Sequence, residues 1–235
     1  MSSTIRFIAL VLVVLFCNSP SVACTNSGLV PLGRCKLFAV QAGTGVAASG
    51  SQTTIALGSV GVAPGTAITG NLVLLNGAIE ANSPAAINCA ADELIAYDAA
   101  KGAHCPANQT LSNPDLGGLT LTPGVYCAGN FIISAGIVTL DGQNNSSSQW
   151  LFQAATTLQT ATATSFILIN GAQAENVFWQ VGSSATIAYS SSFVGTILAY
   201  ASISVDTDAT INGRAFAQAA VTFAGGDSVT RPRAS

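Results

Sequence analysis

The sequence contains very little charge: Lys, Arg, Asp and Glu together make up 7% of its 235 residues, and there is a single histidine, His104. Such a chain offers few general acids, general bases or metal ligands. We therefore expect no catalytic residues, no cofactor and no metal. The formal net charge is −3 and the basic residues form no cluster, which argues against nucleic acid or an anionic membrane surface as a partner.

Long hydrophobic runs are also missing beyond the N-terminus, although 49% of the residues are apolar and the mean hydropathy is +0.52. No run there approaches the roughly 18 residues that a membrane-spanning helix needs. The apolar residues instead come in short groups separated by Gly, Asn, Ser and Thr. This pattern predicts many short, buried strands joined by tight turns, within one domain covering 24–235.

The first 23 residues have the pattern of a secretory signal peptide. Arg6 supplies a weak positive region, 7–17 is an apolar stretch too short to cross a membrane, and Ser21-Val22-Ala23 is a small-residue cleavage site. We expect cleavage after Ala23 and a secreted, extracellular protein. Val22-Ala23-Cys24 loosely resembles a bacterial lipoprotein box, but Ser21 stands where such a box has a large aliphatic residue, so lipidation is the less favoured alternative.

Five cysteines remain after this cleavage: Cys24, Cys35, Cys89, Cys105 and Cys127. Export to an oxidising compartment favours disulfides. Because the number is odd, one thiol is free or pairs elsewhere, and the sequence alone does not define the connectivity.

One segment, about 84–101, is predicted to be a long helix. Ser83 is a suitable N-cap, Pro84 fits the first helical position, and the following residues are rich in alanine. Asp92 and Glu93 are predicted to face away from the core. The apolar positions predicted to face the core are Ile87, Ala90, Leu94 and Tyr97.

The C-terminal third repeats every 18 residues. Gly195 aligns with Gly213, and the apolar positions recur in register as Ala185, Ile203 and Val221, and as Ile187, Val205 and Phe223. A short, fixed period with recurring apolar positions is typical of a solenoid, in which equivalent positions of successive coils stack into one core.

Alternation along these strands then predicts the residues that point outward. If the apolar positions face the core, the outward residues are Ser184 and Thr186, Ser202 and Ser204, and Ala220 and Thr222. Stacked at about 4.8 Å per coil, they form ladders of hydroxyl and methyl groups. A second Thr-rich stretch could extend the same face: Thr157, Thr160, Thr162 and Thr164.

Several long blocks of the chain resemble the microbial ice-binding proteins with a discontinuous β-solenoid fold. The blocks are Phe38-Ala-Val-Gln-Ala-Gly-Thr-Gly-Val46, Gly58-Ser-Val-Gly-Val-Ala-Pro-Gly-Thr-Ala-Ile-Thr-Gly70, Leu116-Gly-Gly-Leu-Thr-Leu-Thr-Pro-Gly-Val-Tyr126, Ile169-Asn-Gly-Ala-Gln-Ala-Glu-Asn-Val-Phe-Trp-Gln-Val-Gly-Ser-Ser-Ala-Thr186, Phe193-Val-Gly-Thr-Ile-Leu-Ala199 and Ile211-Asn-Gly-Arg-Ala215. Together they cover nearly all of the chain beyond the signal peptide, in order.

The resemblance implies a strand-dominated, right-handed β-helix of triangular cross-section, with coils that do not follow chain order and one long helix packed alongside. It also implies a monomer that catalyses nothing and binds the surface of ice crystals through a flat Thr/Ser/Ala face. The candidate ice-binding residues are Thr44, Thr160, Thr162, Ser184, Thr186, Ser202, Ser204, Thr207 and Thr222.

Three residues depart from the Thr-Ala/Gly-x-Thr/Asn pattern of that family. Tyr189 follows Thr186 where a small residue is common, and Asp206 and Asp208 flank Thr207. A large ring or a charge on the face would disturb ordered water and so weaken ice binding. An alternative therefore remains open, in which the protein is an exported surface or adhesive module without ice affinity. Asp206 and Asp208 are also compatible with a carbohydrate-active β-helix enzyme, in which a pair of carboxylates hydrolyses sugars. His104 is distant from them in sequence, however, and no other residue is visible that would act as an acid–base partner.

Overall fold

The computed structural model describes residues 29–112, 114–134 and 136–232, so the predicted signal peptide and Cys24 lie outside the described residues. The strands form one parallel sheet that winds into a solenoid with three faces, and a single long helix packs against one of them. The predicted fold class is therefore confirmed.

Each face is built from one set of stacked strands. The face next to the helix, here the helix-covered face, contains β1 (Phe38–Ala42), β3 (Ser59–Val62), β5 (Ile79–Ala81), β7 (Gly124–Ala128), β10 (Trp150–Ala154) and β13 (Val177–Val181). The second, here the Thr/Ser face, contains β8 (Phe131–Ile133), β11 (Leu158–Thr160), β14 (Ala185–Ile187), β16 (Ile203–Val205) and β18 (Ala220–Phe223). The third face contains β6 (Thr120–Leu121), β9 (Ile137–Asp141), β12 (Ser165–Ile169) and β19 (Ser228–Thr230).

Four longer strands bend across a corner and serve two faces. β2 (Gly45–Leu57) and β4 (Ala67–Leu74) begin on the Thr/Ser face and end on the third face. β15 (Ser192–Ala199) and β17 (Thr210–Ala217) begin on the third face and end on the helix-covered face.

The coils do not stack in chain order. On the Thr/Ser face the strands follow one another as β8, β11, β14, β16, β18, β2 and β4. The 18-residue register is confirmed, since Ile203 pairs with Val221 and Val205 with Phe223. Beyond β18, however, the next strand is β2, so the N-terminal coils lie on top of the last coil of the chain.

The interior is filled by the inward-facing side chains of all three faces and contains an aromatic stack. The rings of Phe152 and Trp179 lie parallel with centroids 3.9 Å apart, and Phe131 and Phe166 meet Trp179 edge-on. Trp179 is 1% exposed, and its indole N–H donates to the carbonyl of Val194 at 3.0 Å. The aromatic residues therefore fix the core without leaving a buried donor unpaired.

The repeated glycine of the 18-residue period has a steric cause. Gly195 and Gly213 pair at a corner of neighbouring coils, and a Cβ on Gly213 would collide with the carbonyl oxygen of Gly195. Gly195 also has a φ of +108°, a conformation that side-chain-bearing residues rarely adopt.

The long helix α1 spans Pro84–Gly102, with the Ser83 hydroxyl capping the backbone N–H of Ala86 at 3.2 Å. The predicted buried stripe is only partly correct: Tyr97 is buried, but Ile87 and Leu94 are each 49% exposed. The side facing the sheet carries Ala86, Cys89, Glu93, Ala96, Tyr97 and Ala100. Cys89, Ala96, Tyr97 and Ala100 pack in one hydrophobic cluster with residues of the sheet, and the small side chains among them let the helix lie close to it.

Glu93 was also predicted to face away, and this too was wrong. The residue is 4% exposed, and burial raises the pKa of its carboxyl to about 8. It is thus a buried carboxylic acid between helix and sheet.

Among the described residues, no helix combines the length and apolar character needed to cross a membrane.

Covalent and ionic contacts hold α1 in place. Cys35 forms a disulfide with Cys89 near the start of the helix, and Cys105 forms one with Cys127 just beyond its end. Arg34 donates twice to the carboxylate of Asp92, with both side-chain distances 2.8 Å. These hydrogen bonds lower the pKa of Asp92 to about 2.

Candidate functional site

The Thr/Ser face presents two parallel rows of small, uncharged side chains. One row takes the central outward position of successive strands and reads Thr186, Ser204, Thr222, Ala47 and Thr69. The other lies two residues earlier on each strand and reads Ser184, Ser202, Ala220, Gly45 and Ala67. Strand pairing spaces neighbours in a row at about 4.8 Å, and the two rows are about 6.7 Å apart.

Hydrogen bonds between coils hold part of this array. The Thr222 hydroxyl donates to the Ser204 hydroxyl at 3.3 Å, and the Ser184 hydroxyl accepts from the backbone N–H of Ser202 at 3.4 Å. Beneath the rows, Ile203 and Val221 are completely buried. Because the buried layer and the paired backbone fix each Cα, the outward groups have little freedom to move away from regular positions.

The array ends in larger side chains at one side. Beyond Thr186 the central row continues with Gln159 and then Ile132, which is 39% exposed. The uniform part of the surface therefore spans five strands, from β14 to the outer strand β4. A shallow depression of about 240 Å³ lies on the part of this surface where β18, β2 and β4 stack. Gly45, Ala67 and Ala220 are among the residues that line it.

The chain is similar to known proteins over most of its length. Residues 40–229 match the model of the family described as Ice-binding-like. The chain belongs to this family. Among curated relatives, the "Ice-binding protein" of Nostoc sp. (strain HG1) is 37% identical over 91% of this chain and 78% of its own length. The "Ice-binding protein" of Flavobacterium frigoris (strain PS1) is 34% identical over 88% of this chain and 78% of its own.

Solved structures of family members have the same architecture. The ice-binding protein of the Antarctic ascomycete Antarctomyces psychrotrophicus superimposes with a TM-score of 0.80 at 37% identity, covering 87% of this chain and 99% of that one. An ice-binding protein from an Antarctic Biological Consortium gives a TM-score of 0.81 at 36% identity, covering 87% and 91%.

Five of the nine candidate residues lie in the two rows: Ser184, Thr186, Ser202, Ser204 and Thr222. Thr44 is exposed in the turn that precedes β2, at the border with the helix-covered face. Thr162 and Thr207 lie in turns at the opposite border, where the Thr/Ser face meets the third face. These three side chains flank the array without belonging to it.

Thr160 does not point outward. It is 8% exposed, and its hydroxyl accepts from the backbone N–H of Ala188 at 2.8 Å. Alternation on β11 explains this orientation, because Leu158 is fully buried and Thr160 shares its side of the strand. The outward residue of β11 is Gln159. Thr164, in the same Thr-rich stretch, is also buried.

The three residues that depart from the family pattern do not interrupt the rows. Tyr189 lies beyond the end of β14, and Asp206 and Asp208 lie in the turn between β16 and β17. In the same corner the carboxylate of Asp227 accepts from the backbone N–H groups of Gly225 at 2.9 Å and Ala209 at 3.1 Å, while burial raises its pKa. No group of three or more potential metal ligands occurs in the described part of the chain.

Sequence reasoning missed the N-terminal half of the array. Ala47 and Thr69 continue the central row, and Gly45 and Ala67 continue the other. Their strands precede the repeat region in sequence, and no fixed period connects them to it. Gly-Thr-Ala-Ile-Thr at 65–69 does resemble the Thr-rich strands of the tail in composition, and this was the available signal.

Proposed function

We propose that the protein adsorbs to ice through the two rows of the Thr/Ser face and thereby inhibits ice growth and recrystallisation. The observation that carries this proposal is a rigid, uncharged array that repeats across five coils. Membership of the Ice-binding-like family and the similarity to ice-binding proteins of other microorganisms support it.

The chemistry of the array suits a surface made only of water. A threonine supplies a hydroxyl that holds a water molecule and a methyl group around which neighbouring water forms a cage, and its β-branched side chain has little rotamer freedom to lose. Regular backbone spacing gives these waters repeating positions. Ordered water on the face can then merge with the lattice of the crystal.

Area and preorganisation decide the affinity, because each contact with water is weak. A charged side chain in the rows would hold its own hydration shell and compete with the lattice. Every side chain of the two rows is uncharged, and the acidic residues Asp206 and Asp208 lie in a turn outside them. Adsorbed protein would force the ice front to grow between molecules as curved surfaces, which lowers the local freezing point.

The same proposal includes an extracellular monomer that catalyses nothing. The signal-like N-terminus supports the extracellular location, and the low charge and the absence of an acid–base constellation in the described residues support the lack of catalysis. An exported surface module without ice affinity is less favoured, because the residues that suggested it, Tyr189, Asp206 and Asp208, lie outside the rows.

Measurement of thermal hysteresis and ice-crystal shape on purified chain from Cys24 onward tests the proposal. We expect a gap between melting and freezing points and faceted crystals. Round crystals without a gap, from protein shown to be folded by circular dichroism, would contradict ice binding.

A further inference from the structure

A second cavity lies away from the Thr/Ser face, where the segment before β1 crosses a corner of the solenoid. Its volume is about 230 Å³. The charged residues that line it are Lys36, Glu175, Arg214 and Arg231, and Val30, Leu32 and Phe178 form its apolar walls. Three cations and one carboxylate give the cavity a net positive charge.

Arg214 is the most buried of these cations, at 4% exposure. Its guanidinium donates to the Thr196 hydroxyl at 3.3 Å and to the carbonyl of Lys36 at 3.4 Å, and its Nε has no acceptor. A charged N–H···O bond to a strong partner is usually about 2.7–2.9 Å long. The protein therefore holds this side chain in place without satisfying it.

A second guanidinium faces the same space. The Nε of Arg231 is buried and also has no acceptor. Burial and the nearby charge of Arg231 lower the pKa of Arg214 to about 10, against the opposing effect of Glu175. A buried guanidinium next to a second, partly buried one is unfavourable unless an anion shares their hydrogen bonds.

We infer that this cavity binds a small oxyanion, a phosphate or sulfate group, which accepts hydrogen bonds from Arg214 and Arg231 and is balanced by their charge. Such a group has several acceptor oxygens and can satisfy both Nε donors at once. The cavity is larger than the ion alone, so the group is accepted either free or as an ester on a small molecule. The site is independent of the ice-binding proposal, because none of its residues lies on the Thr/Ser face.

The test is a titration of the full chain with sodium phosphate at about pH 7.5, where phosphate carries nearly two charges, in constant sodium chloride. The readout is the Nε–H signals of the arginines in a ¹H–¹⁵N spectrum. We expect saturable shifts for Arg214 and Arg231 and none for Arg34. If the signals show no saturable shift up to about 50 mM phosphate, the inference is overturned, because binding weaker than this does not indicate a specific site.

Two variants locate the binding. R231Q removes one cation at the end of β19 and should weaken binding at least about fivefold, equivalent to about 1 kcal/mol. K101Q is the matched control, because it removes one cation from the exposed end of α1 and should leave the affinity unchanged. Equal affinity for R231Q and the unmodified chain would overturn the assignment to this cavity.

A parallel titration with glucose 6-phosphate distinguishes the source of the group. Tighter binding of glucose 6-phosphate than of inorganic phosphate would identify an esterified ligand. Binding of inorganic phosphate alone would identify the free ion.

Discussion

The hydroxyl of Thr222 donates to that of Ser204 at 3.3 Å, although 18 residues separate them in the chain. The bond connects consecutive coils on the outer surface of the solenoid. It shows that the outward residues of the repeat are not independent surface positions. Where such bonds form, the hydroxyl is fixed by the neighbouring coil, and the regularity of the face follows from the regularity of the stack.

Ser204→Tyr and Thr186→Tyr should each lower thermal hysteresis by at least about tenfold, because a ring in the central row breaks the regular surface over its neighbours. Thermal stability should change by less than about 0.5 kcal/mol, since both side chains lie on the outside of the strands. Nanolitre osmometry and a thermal denaturation curve measure the two quantities.

The matched control is Thr210→Tyr. Thr210 is exposed on the third face, one strand after Ser204, and its hydroxyl donates to Ser192 as Thr222 donates to Ser204. The control should retain thermal hysteresis. If Thr210→Tyr loses thermal hysteresis and both Thr/Ser-face variants retain it, the ice-binding surface is the third face instead.

Ala47→Tyr tests whether the N-terminal coils belong to the same surface. Ala47 pairs with Thr222 on one side and Thr69 on the other, so the new ring would stand inside the row, between these two threonines. We expect a loss of thermal hysteresis as large as that of Ser204→Tyr, again without a change in melting temperature. Full activity would confine the ice-binding surface to the coils of the C-terminal repeat.

Glu93→Gln should remove a pH dependence of stability. Because burial raises the pKa of Glu93 from 4.5 to about 8, the folded protein holds a proton that the unfolded chain releases above pH 4.5. The contribution of this proton to the free energy of unfolding is complete below pH 4.5 and is lost as the pH rises through 8. The free energy of unfolding falls by at most about 1.4 kcal/mol per pH unit.

Urea denaturation between pH 4.5 and 9 measures this effect. Glu93→Gln should be more stable than the unmodified chain at the alkaline end and nearly equal to it at the acidic end. Asp98→Asn, on the exposed side of the same helix, should keep the original pH profile. Parallel profiles for Glu93→Gln and the unmodified chain would mean that the carboxyl is ionised in the folded state.

Replacing Cys35 and Cys89 together by serine should destabilise the protein by about 4 kcal/mol, the chain-entropy value for a loop of 54 residues. Thermal hysteresis measured at low temperature should remain, because the disulfide joins α1 to the segment before β1, on the side away from the Thr/Ser face. Denaturation curves in oxidising buffer provide the stability, and a loss of activity in folded protein would show that the helix positions the rows.

The sequence predicts the fold well where neighbouring coils follow one another in the chain. Ile203 and Val221 occupy the same position of a fixed period, so their contact is visible as a repeat. The contact between Val221 and Val46 has no such signature, because pairing of strands from opposite ends of a chain leaves no period. The buried side of α1 was only partly predicted: hydrophobic spacing correctly selected Tyr97, but it also selected the exposed Ile87 and Leu94. It could not identify Glu93, because contact with the sheet buries this residue despite its polarity.

The junction between β18 and β2 also determines where the chain ends lie. β1 is enclosed between β17 and β3, and β19 between β17 and β2, so both ends of the described chain belong to the middle of the stack. The two tips of the solenoid are made of internal segments instead. In most proteins, fraying of the termini loosens only the periphery. Here the first and last coils of the described chain pair within the Thr/Ser face, so opening of the β18–β2 junction would divide its two rows into two shorter pieces.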